Sequence, residues 1–173
     1  MNDFGRRNID AFFENVAARI ESSATVYVFG ASDLVLWDPD GAQAAGIVTR
    51  EIDFGFDPPE SDAVFNAIQD AAGASSDIHI DEGDHRWFIQ LPGAENRHRK
   101  YGEYGGKLTV YLVDLYTLAA GKLERNERAD QKAVDHMLRS GLVDRVVLAD
   151  LIRNSNATEP QKALMLANLD KRG

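Results

Sequence analysis

The sequence predicts an α+β (mixed α/β) fold: a small twisted sheet flanked by helices, with a C-terminal helical bundle packed on it as part of one compact unit. Three observations lead there. Short β-branched and aromatic runs alternate with stretches of helical periodicity through the first two-thirds of the chain. From Asp114 onward the periodicity is helical throughout. The chain has 173 residues, 44% of them hydrophobic, which suffices for one domain with a real core. The expected division is an α/β core over 1–113 and a helical region over 114–173.

The elements follow in order. Over residues 8–20, Ile9, Phe12, Phe13, Val16 and Ile20 fall at helical spacing, with Asn8 as the cap. Ser22 and Ser23 break that pattern. Val26-Tyr27-Val28-Phe29 reads as a strand ending in the small-residue turn Gly30-Ala31-Ser32. The glycine turn leads into a helix or loop, in which Leu34-Val35-Leu36-Trp37 continues an apolar segment, and Asp38-Pro39-Asp40-Gly41 is a turn by composition. Residues 42–48 lead into a second strand, Thr49-Arg50-Glu51-Ile52-Asp53-Phe54, which Pro58-Pro59 stops. Ser61 caps a helix over 62–72 whose inward stripe is Val64, Phe65, Ile68 and Ala71 or Ala72. After the loop Gly73-Ala74-Ser75-Ser76, Ile78-His79-Ile80-Asp81 alternates as a short strand. Trp87-Phe88-Ile89-Gln90-Leu91 is another apolar piece, closed by Pro92-Gly93, and residues 96–100 are polar and basic. The last clear strand covers 108–113. Asp114 then caps a helix reaching Arg125. A further helix over 128–139 puts Ala129, Ala133, Val134, Met137 and Leu138 on one face, with Gly141 at its end. A short helix over 142–153 follows. Thr158-Glu159-Pro160-Gln161 has capping-box spacing and opens the final helix.

Composition narrows the chemistry. With no cysteine, disulfides, thiolate zinc sites and thiol nucleophiles are excluded. His79, His85 and His136 show no metal spacing. The net charge of −9 disfavours non-specific binding to nucleic acid. The run Arg97-His98-Arg99-Lys100 is the local exception: either it touches an anionic substrate or it is a solvated loop. No apolar run approaches the ~20 residues that span a bilayer, and the first residues lack the apolar centre of a signal peptide. A cytoplasmic protein without membrane contact is expected.

The second strand carries the most informative pattern. Glu51 and Asp53 are two apart, so on a strand both point to one face, and Ile52 and Phe54 to the other. Two carboxylates about 6 Å apart repel by roughly 3 kcal/mol at an effective dielectric near 20. A solvated strand face bears that repulsion. In a cleft, a divalent cation with oxygen ligands, typically magnesium, relieves it.

Val28-Phe29-Gly30-Ala31-Ser32 followed by Thr49-Arg50-Glu51-Ile52-Asp53 resembles the glycine turn and paired-acid strand of the polymerase-β-like nucleotidyltransferase superfamily. The likeness is greatest to its minimal, abortive-infection-toxin-like branch. Leu91-Pro92-Gly93 with Arg97 matches the middle of that pattern, and Asp114-Leu115, Leu118, Lys122-Leu123 and Asp130 match its helical part. The resemblance runs from residue 24 to residue 140. Two positions depart from it: Ala31 stands where the family has a second glycine, and Glu51 where it usually has aspartate.

The resemblance implies metal-dependent transfer of a nucleotide from an NTP to an RNA (tRNA) or protein acceptor. Two Mg²⁺ ions are expected with the NTP, held by Glu51, Asp53 and a third acid. Asp81 is the choice for the third acid, with Asp84 close behind; a plain turn cluster, Asp81-Glu82-Gly83-Asp84, is the competing account. Gly30 and Ser32 would offer amides and a hydroxyl to the phosphates, although Ser32 also suits a simple helix cap. Lys122 would meet the triphosphate or be an ordinary snorkelling lysine; Asp130, counted with the nucleotide-binding set, would orient Lys122 or belong to an exposed charged face. Arg97 joins the nucleotide-binding set. The same likeness implies the toxin of a toxin–antitoxin or phage-defence pair, with a cognate antitoxin. Two other readings compete. One is a catalytically silent relative that binds a nucleotide or partner protein. The other is a structural protein that associates through its C-terminal helices.

Overall fold

The computed structural model describes residues 6–49, 51–57, 61–75, 78–83 and 90–172. Five strands form one sheet: β1 (Ala24–Phe29), β2 (Glu51–Asp57), β3 (His79–Glu82), β4 (Arg99–Tyr104) and β5 (Leu108–Leu112). Their order is β3-β2-β1-β5-β4. β1 is antiparallel to β2 and parallel to β5; β2 runs parallel to β3, and β4 antiparallel to β5. The mixed α+β fold expected from the sequence is the fold observed.

The period-two alternation of the central strands decides which side of the sheet is covered. Val26, Val28, Val110 and Leu112 are fully buried, as are Ile52, Phe54 and Phe56 of β2. They pack against α1 (Arg6–Ala17) through Ile9, Phe12, Phe13 and Val16, and against α4 (Asp62–Gly73) through Val64, Ala67, Ile68 and Ala71. The alternate residues Tyr27, Thr109 and Tyr111 are only half-buried, so the other side of the sheet stays open. Glu51 and Asp53 belong to that open side.

Local chemistry sets the helix ends. Ser61 accepts from the Val64 amide at 3.3 Å and starts α4 as expected. Asp114 accepts from the amides of Tyr116 and Thr117 and starts α5 (Leu115–Arg125). A reciprocal capping box at Thr158 and Gln161 opens α8 (Glu159–Asp170). α6 (Arg128–Arg139) and α7 (Arg145–Arg153) complete the helical region. Several boundaries differ from expectation; α7, for one, starts at Arg145 rather than at residue 142. α1 starts before Asn8 and ends at Ala17, with Ile20 packing from beyond its end. Of the helix or loop expected after the glycine turn, the chain forms the helix, α2 (Gly30–Trp37). Asp38-Pro39-Asp40-Gly41 does not reverse the chain but opens α3 (Pro39–Ala44), with Asp38 accepting from the Gly41 amide at 3.3 Å and Pro39 in the first turn. Pro58, Pro59, Asp84, His85 and residues 87–89 of the expected apolar piece lie outside the described residues.

A second core lies among the helices, where Leu118, Leu123, Val134, Met137, Leu148, Ile152 and Met165 pack together. Leu34, Ala42, Ile47, Leu91 and Ala94 join it from before Asp114, and α2 ties the two cores together, with Leu36 in the sheet core and Leu34 in this one. Among the described residues, no helix is long and apolar enough to cross a membrane.

One buried group sits badly at neutral pH. Asp33 on α2 is fully buried, and neither carboxyl oxygen meets a donor among the described residues. The two nearest donors are spent elsewhere, the Trp37 indole on the Val113 carbonyl and the Val113 amide on the Val28 carbonyl. Burial, and then the charge of Asp114, push the Asp33 pKa well above the usual carboxylate range, against a weaker opposing pull from Trp37, Lys122 and Val113. The folded state therefore holds a proton that the unfolded chain releases near pH ~4, and stability is lost as pH rises from there towards the folded pKa. Asp33→Asn is expected to stabilise the protein by about 1–2 kcal/mol at pH 7–8 and by little at pH 4. Urea unfolding at the two pH values measures this, and an equal effect at both would contradict the assignment.

Candidate active site

β1 and β2 bring the glycine turn and the acids together. Phe29, the last residue of β1, is the register partner of Asp53. Gly30 follows with φ of 74°, a left-handed conformation that glycine tolerates and most residues resist. A Cβ on Gly30 would lie 2.7 Å from Asp53 Cγ and closer still to one carboxylate oxygen. The Asp53 side chain thus rests directly against the Gly30 backbone. Ser32 does not share this role. It is fully buried, and its hydroxyl donates to the Phe29 carbonyl at 2.8 Å, stitching the turn together rather than facing a ligand.

The parallel pairing of β2 with β3 adds the third acid, because Asp81 stands opposite Asp53 in register. Glu51, Asp53 and Asp81 all line one cavity. Burial, then Glu51, then Asp81 raise the Asp53 pKa to about 6, against the opposing pull of Lys122 and Arg125. Among the described residues, no three acids or histidines already converge as a ready metal cage.

α5 and α6 bring the cations Lys122, Arg125 and Lys132 to the same cavity, together with the acids Glu124 and Asp130. Lys122 Nζ lies 3.1 Å from Asp130, with 8% of its side chain exposed. Burial alone would raise the Asp130 pKa, but the hydrogen bonds from Arg125 and Lys122 outweigh it and hold the carboxyl below its usual range. Arg125 grips Asp130 with two nitrogens, at 2.6 and 2.7 Å. Asp130 also accepts from the Glu127 amide at 3.3 Å, closing a capping box at the start of α6. Asp130 is thus a positioning residue, fully committed to two cations and a helix end. The expected pairing of Asp130 with Lys122 is present, and Asp130 is buried rather than part of an exposed charged face.

Arg97 is likewise committed elsewhere. Its Nε and Nη2 reach Asp114 at 3.0 and 2.9 Å, and Nη1 donates to the Pro92 carbonyl at 2.7 Å. It clamps the Leu91-Pro92-Gly93 turn to the start of α5, and it is not on the cavity wall. It therefore serves the site by placing the helix that bears Lys122. Of its basic neighbours, Arg99 stacks on Trp37 at 5.1 Å and Lys100 pairs with Glu103 at 2.6 Å. These residues belong to a strand, β4, rather than to a solvated loop.

The cavity holds about 740 Å³. That is within the ~300–1,000 Å³ of small-molecule and cofactor sites. Compared with known protein families, with curated proteins and with solved structures, the chain matches none. The site is therefore argued from its own geometry. Two of its features are absent from the sequence reading. Arg125 is three residues beyond Lys122, on the same helix face, so its proximity was readable from spacing. Lys132 and the segment 46–49, which form the rim, carry no local pattern that marks them.

Proposed function

We propose that this protein is a metal-dependent nucleotidyltransferase, moving a nucleotide from an NTP to an RNA or protein acceptor. One observation carries the reading: three carboxylates, Glu51, Asp53 and Asp81, line the same cavity as Lys122, Arg125 and Lys132, with a positive-φ glycine turn among the lining residues. Repulsion from Glu51 and Asp81 adds to burial in raising the Asp53 pKa, so the acids favour a divalent cation with oxygen ligands. Glu51, Asp53 and Asp81 would hold magnesium there, which when bound neutralises phosphate charge and acidifies an attacking hydroxyl. The chain's own groups do the rest by position and field. The turn at Gly30 and Ala31 presents backbone to the phosphates. Lys122 and Arg125, steadied by Asp130, meet the negative charge of the polyphosphate. The toxin role with a cognate antitoxin extends the same reading, on the strength of the sequence likeness alone.

A second reading is a catalytically silent nucleotide- or partner-binding module. The acids' failure to converge on a point among the described residues, and Ala31 in the turn, favour it. One experiment separates the two: incubation with Mg²⁺, each labelled NTP in turn, and total RNA or protein extract. Label transfer that disappears in Asp53→Ala is the expected result. A folded protein that transfers nothing, and whose melting temperature ignores both NTP and Mg²⁺, would rule out the catalytic reading.

A further inference from the structure

The rim of the cavity is held by one lysine. Lys132 of α6 donates from Nζ to the Gly46 carbonyl at 2.7 Å, across 86 positions of sequence. Gly46 has φ of 64°, and a Cβ there would sit 2.9 Å from Lys132 Nζ. The left-handed conformation therefore favours glycine where the lysine docks. The segment beyond it is anchored at its base: the Ile47 amide bonds the Ala42 carbonyl at 2.8 Å, and the Ile47 side chain is buried in the helical core. Its tip is not anchored in this way, since Val48 is 69% exposed. Lys132, Gly46, Ile47, Val48 and Thr49 all line the cavity.

We propose that Lys132 binds the terminal phosphate of the nucleotide while keeping its bond to Gly46, so that a triphosphate, and not a diphosphate, draws the 46–49 segment over the cavity. This rests on the nucleotide reading above. An ammonium has three donors, and Gly46 takes one. A phosphate oxygen adds an opposite charge that a carbonyl lacks, so the ammonium gains a Coulomb attraction there. Position in the cavity assigns the phosphate. Lys122 is held inside the cavity on Asp130 with 8% of its side chain exposed, whereas Lys132 is itself exposed and docks on the exposed Gly46 at the mouth. A polyphosphate whose reacting end lies at the acids passes Lys122 first and reaches Lys132 last. With one phosphate fewer, the chain ends short of the rim.

The test is calorimetric binding of each NTP and the matching NDP, with Mg²⁺, to the wild-type protein and to Lys132→Met, which keeps the length of the side chain without the charge. The wild-type protein is expected to bind one NTP about tenfold or more tighter than its NDP, and Lys132→Met to bind the two alike, with NDP affinity unchanged. Hydrogen exchange gives a second readout: NTP slows the amides of residues 47–49 in the wild-type protein and not in the variant. If Lys132→Met keeps the NTP preference, or weakens NTP and NDP equally, this proposal is overturned while the nucleotide reading stands. If the wild-type protein binds no nucleotide at all, both are overturned.

Discussion

Gly30→Ala is expected to destabilise the protein by about 2–4 kcal/mol and to abolish nucleotide transfer. Two independent causes add. An L-residue held at the observed φ of 74° loses about 1–2 kcal/mol in the left-handed region. The new methyl group also overlaps the Asp53 carboxylate, which must move away from the turn. Because the second cause runs through Asp53, the two positions are coupled. Gly30→Ala combined with Asp53→Ala should be less destabilised than the sum of the single variants, by about 1–2 kcal/mol, yet remain inactive. Urea unfolding of the four proteins measures this cycle. Additive effects would mean that the contact between turn and acid is not what constrains residue 30.

Asp53→Asn should have opposite effects on stability and on activity. In the metal-free protein Asp53 has a pKa of about 6, above the ~3.9 of an unfolded aspartate. Its folded carboxyl keeps a proton that the unfolded chain gives up, so its effect is neutral below pH ~4 and grows unfavourable as pH rises towards 6. Removing the charge should then stabilise the metal-free protein above pH 6. The gain is about 1–2 kcal/mol after allowance for the solvent that still reaches the group. Near pH 4 the two proteins should unfold alike. At pH 7.5 Mg²⁺ should raise the melting temperature of the wild-type protein and leave Asp53→Asn unmoved, and transfer should fall more than ~100-fold in the variant. Wild-type activity should decline below pH ~6, where Asp53 takes up a proton and ceases to attract a cation. Thermal melts with and without Mg²⁺ across this pH range are the measurement. A variant less stable than the wild type at pH 8, both without metal, would refute the crowded-acid account.

Residues with short-range partners were the legible ones. Ser61, Asp114 and Thr158 start helices because the amides they bond are two or three positions away. β4 was hidden for a physical reason. Arg99-Lys100-Tyr101-Gly102-Glu103-Tyr104 is an edge strand paired only with β5, and edges carry charge in place of a clear apolar alternation. The two glycines after it, Gly105 and Gly106, both at positive φ, were the local hint of the hairpin. Asp38-Pro39 was ambiguous in itself, since the same pair opens either a turn or a helix.

Strand alternation alone set Glu51 and Asp53 on one face, opposite Ile52 and Phe54, and the small-residue turn at Gly30 was visible as a composition. The sequence by itself thus determined which groups a site at this turn would have to use. Only the tertiary structure decided which charges remain for a ligand and which are spent within the protein. Arg97 is consumed by Asp114, 17 positions away, and Lys132 reaches Gly46 across 86. Such pairings depend on how helices dock against the sheet, and packing between distant segments leaves no period in the chain to read.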